Sequence, residues 1–289
     1  MYQKFRDGRM IRTENGQERL LKLLYGNLIG RLLLKPLTTP IVSELAGAFL
    51  STRFSCVFIK PFIKKNAIDM SQFKTEKYKS YNEFFSRQIR AGARPVDRTK
   101  AHLISPCDSK LTVYSISKKS HFCIKHTDYS VASLLKDKTL AREYEGGYAL
   151  VFRLTVDDYH RYCYVADGVK SENRKIPGVL HTVNPIANDV YPIYKENARE
   201  YCVIQSKEFG KMVMMEVGAL LVGKIVNHHG KKAVLKGQEK GYFRFGGSTV
   251  VLLVKKGMIK IDDDILKNSE EGCETIVKYG EKIAMATEM

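Results

Sequence analysis

The sequence predicts an α+β fold, with a helical, basic N-terminal region over residues 1–95 and a β-rich domain with barrel-like hairpins over residues 96–289. Three observations indicate this division. Leucines recur at helical spacing near the N-terminus, short β-rich runs separated by Gly, Asp and Asn dominate after about residue 100, and most of the net positive charge precedes the boundary. With 44% hydrophobic and 27% charged residues, the chain has the composition of a globular protein.

The net charge of +17 is unevenly distributed along the chain. Residues 1–100 carry 20 Lys and Arg against 8 Asp and Glu, so they account for +12 of the total. Such an excess is typical of a surface that binds a polyanion, either nucleic acid or an anionic membrane, and also of a solvated basic face.

The leucine-rich stretch over residues 17–70 is predicted to be helical, since several leucines share one face: Leu21, Leu24, Leu28 and Leu32. Further leucines cover the other sides, and four cations are set among them: Arg19, Lys22, Arg31 and Lys35. The pattern fits a helix packed inside its own domain, and it equally fits a helix lying among lipid headgroups. No run approaches the ~20 apolar residues of a spanning helix.

A second helix is predicted over residues 80–90, where Ser80 can cap and Glu83 can reach back. We expect it to end near Ala91-Gly92, because Pro95 prevents its continuation. Strands are then predicted for LTVYSI, GYALVFRLTV, EYCVIQS, KMVMMEVGALLVGKIV, GSTVVLLVKKG and TIVKYGEKIA. The last hairpins resemble small biotinyl or lipoyl barrels, but no lysine occupies the turn in which such carriers hold their prosthetic group.

The six cysteines show neither a CxxC pair nor a zinc-ligand spacing. The polar N-terminus lacks the apolar core of a secretory signal. Together these features predict reduced thiols in a cytosolic compartment and no metal site.

Three segments combine reactive side chains with turn residues, where a rigid scaffold commonly places function. In SPCDSK, Asp108 follows a proline turn and precedes a strand. In VDDYHRYCYVADG, His160 can exchange a proton near neutral pH. Arg161 can hold an anionic group, and with Tyr159 it is the candidate for substrate binding. In FGGST, Ser248 follows a glycine whose carbonyl no side chain shields, which suits attack of the hydroxyl on its own preceding peptide bond.

These segments stand in a longer ordered set: YNEFFSRQIRAGARPVD (81–97), SPCDS (105–109), DYHRYCYVADG (158–168), HTVNPIA (181–187), NARE (197–200), VGALLVGKI (217–225) and KGQEKGYFRFGGSTVVLL (236–253). In this order the phrases resemble the phosphatidylserine decarboxylase family. They cover nearly everything from residue 75 to 255. The N-terminal helices and the tail beyond Gly257 are similar in general character only.

The resemblance implies a proenzyme that cuts itself between Gly247 and Ser248. Ser248 would attack the carbonyl of Gly247 to form an ester, and elimination and hydrolysis would leave a covalent pyruvoyl group on residues 248–289. This cofactor, with no metal, would form a Schiff base with the amine of phosphatidylserine and accept electrons as CO2 leaves, which gives phosphatidylethanolamine. The two chains would stay associated, and a homodimer is compatible with the resemblance.

The resemblance also implies residue roles. Ser248 matches the pyruvoyl precursor, Asp108 matches the acid that orients the processing base, and His160 matches the proton donor after decarboxylation. The chain departs from the commonest pattern at Cys163, where the family has a second histidine associated with self-processing. Either His160 serves both steps, or another histidine fills the vacancy, for which His181 is the candidate.

The implied substrate accounts for the charge, because a serine phospholipid lies in an anionic leaflet that attracts Lys and Arg. The expected location is therefore peripheral, on the cytoplasmic side of a membrane. Two alternatives are a soluble pyruvoyl-dependent decarboxylase of a free aromatic amino acid and a non-enzymatic membrane-binding β module. Nucleic acid is not an expected partner, because the basic region is leucine-rich and has no stacking platform.

Overall fold

The computed structural model describes residues 2–12, 24–27, 30, 32, 34, 38–74, 77–124, 127–182, 192–219, 224–244 and 248–287. Several predicted features fall outside these residues. They are Gly247, much of the HTVNPIA and VGALLVGKI phrases, and the cations and most of the leucines of the predicted first helix.

The described strands are β1 (Tyr2–Phe5), β2 (Met10–Arg12), β3 (His102–Ile104), β4 (Ser109–Ser115), β5 (His121–Ile124), β6 (Thr127–Ser130), β7 (Tyr148–Leu154), β8 (Arg161–Cys163), β9 (Gly168–Lys170), β10 (Arg174–Ile176), β11 (Arg199–Ser206), β12 (Gly210–Val217), β13 (Ile225–Asn227), β14 (Lys232–Val234), β15 (Glu239–Phe243), β16 (Ser248–Val254), β17 (Ile259–Ile261), β18 (Glu274–Val277) and β19 (Lys282–Ala286). The described α-helices are α1 (Pro40–Leu50), α2 (Ile59–Lys65), α3 (Tyr81–Phe85), α4 (Val131–Leu135), α5 (Lys138–Arg142), α6 (Ile193–Glu196) and α7 (Asp263–Glu270). Two 3-10 helices span Arg53–Phe58 and Met70–Gln72.

Most of these strands form one large sheet, with the order β14-β9-β11-β12-β16-β7-β4-β18-β1-β2 and with β10 paired to β11. Strand β16 lies at its centre, antiparallel to both β12 and β7. Every residue of this strand is buried, because its continuous apolar run is covered on both faces. A small separate sheet is formed by β13, β15 and β8. Strand β8 begins directly after His160, and β15 ends shortly before Ser248.

The prediction of an α+β fold is confirmed, and four of the predicted runs each form one strand close to the expected limits. The other two runs each contain two strands of different sheets, β12 and β13 in KMVMMEVGALLVGKIV and β18 and β19 in TIVKYGEKIA. The expectation of barrel-like hairpins is wrong, because the sheets do not close into a barrel. The large sheet instead runs from β14 at one edge to β2 at the other, and these two strands do not pair with each other.

The extreme N-terminus contributes strands that the sequence did not indicate. Strand β1 pairs in parallel with β18 and antiparallel with β2, although the predicted helical region began at residue 1. Its residues lack apolar alternation, and polar contacts help to hold it. Gln3 donates to Glu274 over 3.3 Å, and Arg6 binds Asp262 and Asp264. The predicted boundary at residue 95 stays a prediction.

The predicted helix over residues 80–90 is shorter than expected. Its cap is confirmed, since Ser80 Oγ accepts from the backbone N–H of Glu83 over 3.2 Å. The helix ends at Phe85, because the backbone beyond it pairs elsewhere: Gln88 O accepts from Lys74 N, and Arg90 N donates to Gln72 O. The residues between the helix and Gly92 therefore run beside residues 72–74.

A second, smaller core joins α3 to the preceding helices. It is built from four buried residues, Ile59, Tyr81, Phe84 and Phe85. None of the described helices is long and apolar enough to cross a membrane alone, whereas Ile41–Leu50 and Arg53–Lys65, bent by 80°, meet that length and composition together.

Candidate active site

Ser248 lies at the start of the central strand and is fully buried. Its backbone is opposite Leu154, the last residue of β7, in the antiparallel register. The loop that follows β7 therefore begins beside the serine and can return a side chain to it. Ser248 itself pairs with β7, and the pairing of this strand with β12 begins at the next residue, Thr249.

His160 is the side chain that this loop returns. Its Nδ1 lies 3.3 Å from Ser248 Oγ, and its Nε2 lies 3.0 Å from the backbone oxygen of Thr155. A carbonyl oxygen can only accept a hydrogen bond, so Nε2 carries the proton and Nδ1 is the acceptor for the serine hydroxyl. This is the tautomer that a general base for Ser248 requires.

His160 also contacts the segment that precedes the predicted cleavage site. The backbone N–H of Phe243, at the end of β15, donates to His160 O over 3.0 Å. The segments that precede and follow residues 245–247 thus both contact one histidine. Gly247 itself lies outside the described residues.

A buried ion pair braces the loop between β7 and His160. Lys110 Nζ lies 2.6 Å from both Asp158 Oδ2 and Thr155 Oγ1. Asp158 in turn accepts from Thr155 N over 2.7 Å. These contacts fix the residue whose carbonyl oxygen sets the tautomer of His160.

Burial and a nearby cation keep His160 neutral. The ring is fully buried and stacks on Phe85, with ring centroids 4.1 Å apart. Burial, and then the charge of Arg87, lower the pKa of His160 to about 3. At neutral pH the imidazole is therefore unprotonated and available as an acceptor, although its basicity is low.

Asp108 is buried in a different set of contacts. Both its carboxylate oxygens bind Arg94 at 2.7 to 3.1 Å, and Tyr279 N donates to Oδ1 over 2.9 Å. Burial acts to raise its pKa, but the bonds from Arg94 and the charge of Lys278, 3.5 Å away, hold that pKa below its usual value. Asp108 is thus a charged anchor, and its predicted role in orienting a processing base stays a prediction.

Cys163 stands where the resemblance implies a second histidine. Its thiol is fully buried and lies 4.0 Å from Ser105 O. Burial raises its pKa to about 12, so the group stays protonated at neutral pH. A neutral thiol cannot serve as the base that the second histidine would supply.

His181, the second candidate base, is also buried, and burial lowers its pKa. Its ring contacts Tyr25, whose hydroxyl lies 3.5 Å from Nδ1, and Glu196, whose carboxylate lies 3.8 Å from Nε2. Its backbone N–H donates to Asn197 over 2.9 Å. The structure brings His160 to Ser248, and a processing role for His181 stays a prediction.

The two candidate substrate-binding residues lie next to His160 and contact protein groups. Arg161 donates to Ser86 O over 2.8 Å and to Glu239 over 2.7 Å. Tyr159 is buried, with its ring 6.2 Å from that of Phe73. Their role in substrate binding also stays a prediction.

Several residues of the site were missed by sequence reasoning. Lys110 and Asp158 lie within quoted segments, but no local spacing shows that they pair across 48 residues. Phe85 ends α3 and Arg87 follows the helix, in the stretch where the predicted helix end was wrong. Among the described residues, no group of three or more His, Cys, Asp or Glu side chains is arranged to hold a metal ion.

Comparison with known proteins identifies the family of the chain. A family model described as phosphatidylserine decarboxylase matches residues 81–285, which contain both Ser248 and His160. The fold and the match define an enzyme of the carboxy-lyase class. The chain belongs to the phosphatidylserine decarboxylase family.

Curated relatives cover nearly the whole chain. The chain is 50% identical to phosphatidylserine decarboxylase proenzyme 2 of Clostridium acetobutylicum, over 93% of this chain and 92% of the relative. It is 43% identical to the phosphatidylserine decarboxylase proenzyme of Ruminiclostridium cellulolyticum, over 92% and 90%. It is 41% identical to the proenzyme of Clostridium botulinum strain Langeland, over 92% of both chains.

Proposed function

We propose that this protein decarboxylates phosphatidylserine to phosphatidylethanolamine and CO2, after cutting its own backbone between Gly247 and Ser248. The observation that carries the proposal is the buried pair of Ser248 Oγ and His160 Nδ1, 3.3 Å apart at the start of the central strand. The names of the relatives support both the substrate and the proenzyme state.

In the proposed cleavage, His160 Nδ1 accepts the proton of the Ser248 hydroxyl as the oxygen attacks the Gly247 carbonyl. The peptide bond is exchanged for an ester, and elimination of that ester releases a carboxylate at Gly247. Hydrolysis then releases ammonia and leaves the pyruvoyl group at residue 248. A base of low pKa makes this slow, which a reaction that occurs once per molecule tolerates.

The residues present fit such a group, because the serine that would become it is buried, pairs with β7, and is followed at once by residues paired with both β7 and β12. The group would supply an electron sink for the loss of CO2. The chain would supply a water-poor site around residue 248 and a proton to the product carbon from His160. The stacked ring of Phe85 would keep that imidazole in place.

The two chains produced by cleavage are expected to stay together. The shorter chain contributes β16 to the centre of the large sheet, between β12 and β7 of the longer chain. It also contributes β18, which pairs with β4 and β1. Separation would expose fully buried strands to water, so the association is stabilised by the main core.

We also propose that the protein docks peripherally on the cytoplasmic side of an anionic membrane. Large apolar side chains are exposed together on α1 and the following 3-10 helix: Ile41, Leu45, Phe49, Phe54, Val57 and Phe58. Phe54 is 82% exposed. Cations near this face are exposed as well: Arg53, Lys60, Lys64 and Lys65. Apolar side chains next to lysines suit the boundary between headgroups and acyl chains.

This apolar face is connected to the active site through the second core. Asn82 on α3 donates to Gly47 O and Ser51 Oγ, at 2.9 and 2.8 Å, which ties α3 to α1. On its other side, α3 presents Phe85 to His160. One short helix therefore joins the proposed docking face to the side chain that stacks on His160.

The function is tested by intact mass and by CO2 release. The purified protein is expected to contain two chains split between residues 247 and 248, the shorter with a blocked N-terminus. Phosphatidylserine vesicles should yield CO2, whereas free aromatic amino acids should not. CO2 from the amino acids alone would favour the soluble decarboxylase, and one uncut, inactive chain would favour a binding module.

Docking is tested by sedimentation with vesicles that contain phosphatidylglycerol. The double variant Phe54→Asp with Val57→Asp should lose most of its binding. Leu235→Asp, which changes an apolar residue 64% exposed on β-rich structure, is the matched control and should bind normally. Equal binding of all three proteins would contradict docking through this face. Point variants are preferable to deletion of residues 1–70, because β1 belongs to the large sheet.

A further inference from the structure

Arg87 is a buried cation with little to neutralise it. It lies just after α3 and is only 3% exposed. Its guanidinium carbon lies 4.3 Å from the ring centroid of Phe73 and 4.8 Å from that of Phe84. Within the described residues its one hydrogen bond is a 3.4 Å contact from Nη1 to Phe84 O, and its Nε is buried without a partner. The aromatic rings orient the guanidinium plane but do not supply a counter-charge.

Other buried arginines of the described chain are fully engaged. Arg153 makes two bonds to Glu274, at 2.6 and 2.5 Å. Arg199 donates to four backbone carbonyl oxygens at 2.7 to 3.0 Å. Removing an unpaired charge from water is strongly unfavourable. Of these three buried arginines, Arg87 therefore has the fewest hydrogen-bond partners, and a bound anion would stabilise it most.

The position of Arg87 is next to the active site. Arg161 donates to Ser86 O over 2.8 Å, so the backbone around Arg87 is bound to the segment that carries His160. Phe85, two residues earlier, stacks on the His160 ring. The charge of Arg87 is also the second contribution, after burial, to the low pKa of His160.

The substrate of the proposed function carries two anionic groups, a carboxylate and a phosphodiester. The carboxylate loses its charge when it leaves as CO2, so a cation bound to it would stabilise the substrate more than the transition state and slow the reaction. The phosphodiester keeps its charge throughout, and binding to it improves affinity without opposing the chemistry. The guanidinium fork is suited to two phosphate oxygens.

We propose that Arg87 binds the phosphodiester of the substrate and thereby makes the site specific for phosphate-linked serine lipids. The inference rests on the proposed decarboxylation and adds the residue that recognises the phosphate of the headgroup. It also connects binding to proton transfer. A phosphate bound to Arg87 would offset the cation beside His160 and raise the pKa of that imidazole, which favours its protonation only when substrate is present.

The test compares two substrates on the self-cleaved enzyme. One is dihexanoyl phosphatidylserine, and the other is O-octyl serine, which keeps the amine, carboxylate and apolar tail but lacks phosphate. Arg87→Gln should lower kcat/KM for the phospholipid by about 100-fold, mainly through KM, because a charge-assisted bond is lost. For O-octyl serine the change should stay within about threefold. Arg142→Gln, which removes an exposed charge from α5, should change neither value.

A second measurement does not depend on turnover. Glycerophosphoserine at millimolar concentration should raise the Tm of the two-chain wild type, and this rise should be lost in Arg87→Gln. Arg87→Lys keeps the charge but not the planar guanidinium fork. Its ratio of kcat/KM for the phospholipid to kcat/KM for O-octyl serine should therefore lie between the ratios of the wild type and Arg87→Gln. If Arg87→Gln does not fold, Arg87→Lys carries both measurements.

Each outcome decides the inference. An equal fall of kcat/KM for both substrates, or an unchanged Tm rise in the variants, would overturn the role of Arg87. If Arg87→Gln does not fold, the role of Arg87 would be overturned by an Arg87→Lys enzyme whose ratio of kcat/KM for the two substrates equals that of the wild type. A wild type that releases CO2 from neither substrate would instead refute the proposed function, so the two failures are distinguishable.

Discussion

Two polar clusters begin near the N-terminal end of β4, one at Asp108 and the other at Lys110. One keeps its ionisable side chain charged, and the other keeps its ionisable side chain neutral. The anchor cluster consists of Asp108 with Arg94, Lys278 and Tyr279. The cleavage cluster starts two residues later, with Lys110, and continues through Asp158 and Thr155 to His160 and Ser248.

The anchor cluster keeps a carboxylate charged, since cations lower the pKa of Asp108 despite its burial. The cleavage cluster keeps a histidine neutral, and burial there raises the pKa of Asp158. The acid of the SPCDS motif, Asp108, therefore belongs to a different cluster from the base, His160. Here a backbone carbonyl, braced by Lys110 and Asp158, orients His160 directly.

The largest expected difference between the clusters appears when each loses its cation. Lys110→Met should slow self-cleavage by about 100-fold, because an unpaired Asp158 no longer fixes Thr155 and the tautomer of His160. Arg94→Met should lower the free energy of unfolding by about 3 kcal/mol, since it leaves a buried carboxylate poorly paired. In folded Arg94→Met, cleavage should stay within about threefold of wild type.

The measurement is a time course of chain cleavage on gels, with chemical denaturation of each variant alongside. Lys110→Arg is the matched control, because it retains a cation for Asp158. Cleavage slowed as much by Arg94→Met as by Lys110→Met would erase the distinction between the clusters and restore Asp108 as an orienting acid.

A smaller effect is expected in the pH dependence of stability. His160 has a pKa of about 3 when folded and ~6.5 when unfolded. As pH falls from 6.5 towards 3, the unfolded chain binds a proton here that the folded chain does not, so the free energy of unfolding falls. His160→Gln should remove up to about 1.4 kcal/mol per pH unit of this slope.

Denaturant unfolding at pH 7, 6 and 5 would measure that slope, in a Ser248→Ala background that keeps every molecule uncut. Asp108 has a lowered pKa, so its stabilisation is present above its unfolded value and is lost only as pH falls through the lower, folded value. Identical slopes with and without His160 would mean that the imidazole is not kept neutral by the fold.

The smallest effect is expected at Cys163. Its buried thiol is neutral, so Cys163→Ala should change the cleavage rate by no more than about threefold. The small cavity should cost on the order of 1 kcal/mol in stability. Loss of cleavage in Cys163→Ala, with folding retained, would assign the thiol a direct part in the reaction.

Much of this organisation could be predicted from the sequence. The α+β class followed from apolar runs such as STVVLLV, and the family followed from ordered phrases around Ser248 and His160. Strand β1 could not be predicted, because parallel pairing with residues 274–276 and bonds such as Arg6 to Asp262 connect distant parts of the chain.

The site shows the same limit. The residue types of DYHR predict proton transfer, but the choice of Nδ1 as acceptor depends on the position of Thr155 O. The brace from Lys110 depends on the pairing of β4 with β7, which places their ends together. Likewise, α3 ends early because of backbone bonds between residues 72–74 and 88–90, which no local propensity encodes.

The central claim is that His160 is the base that starts cleavage at Ser248. It is tested most directly by the rate at which newly made His160→Ala and His181→Gln chains cut themselves, followed by intact mass. The account predicts normal cleavage in His181→Gln and a loss of about 100-fold or more in His160→Ala. Normal cleavage in His160→Ala together with its loss in His181→Gln would contradict it.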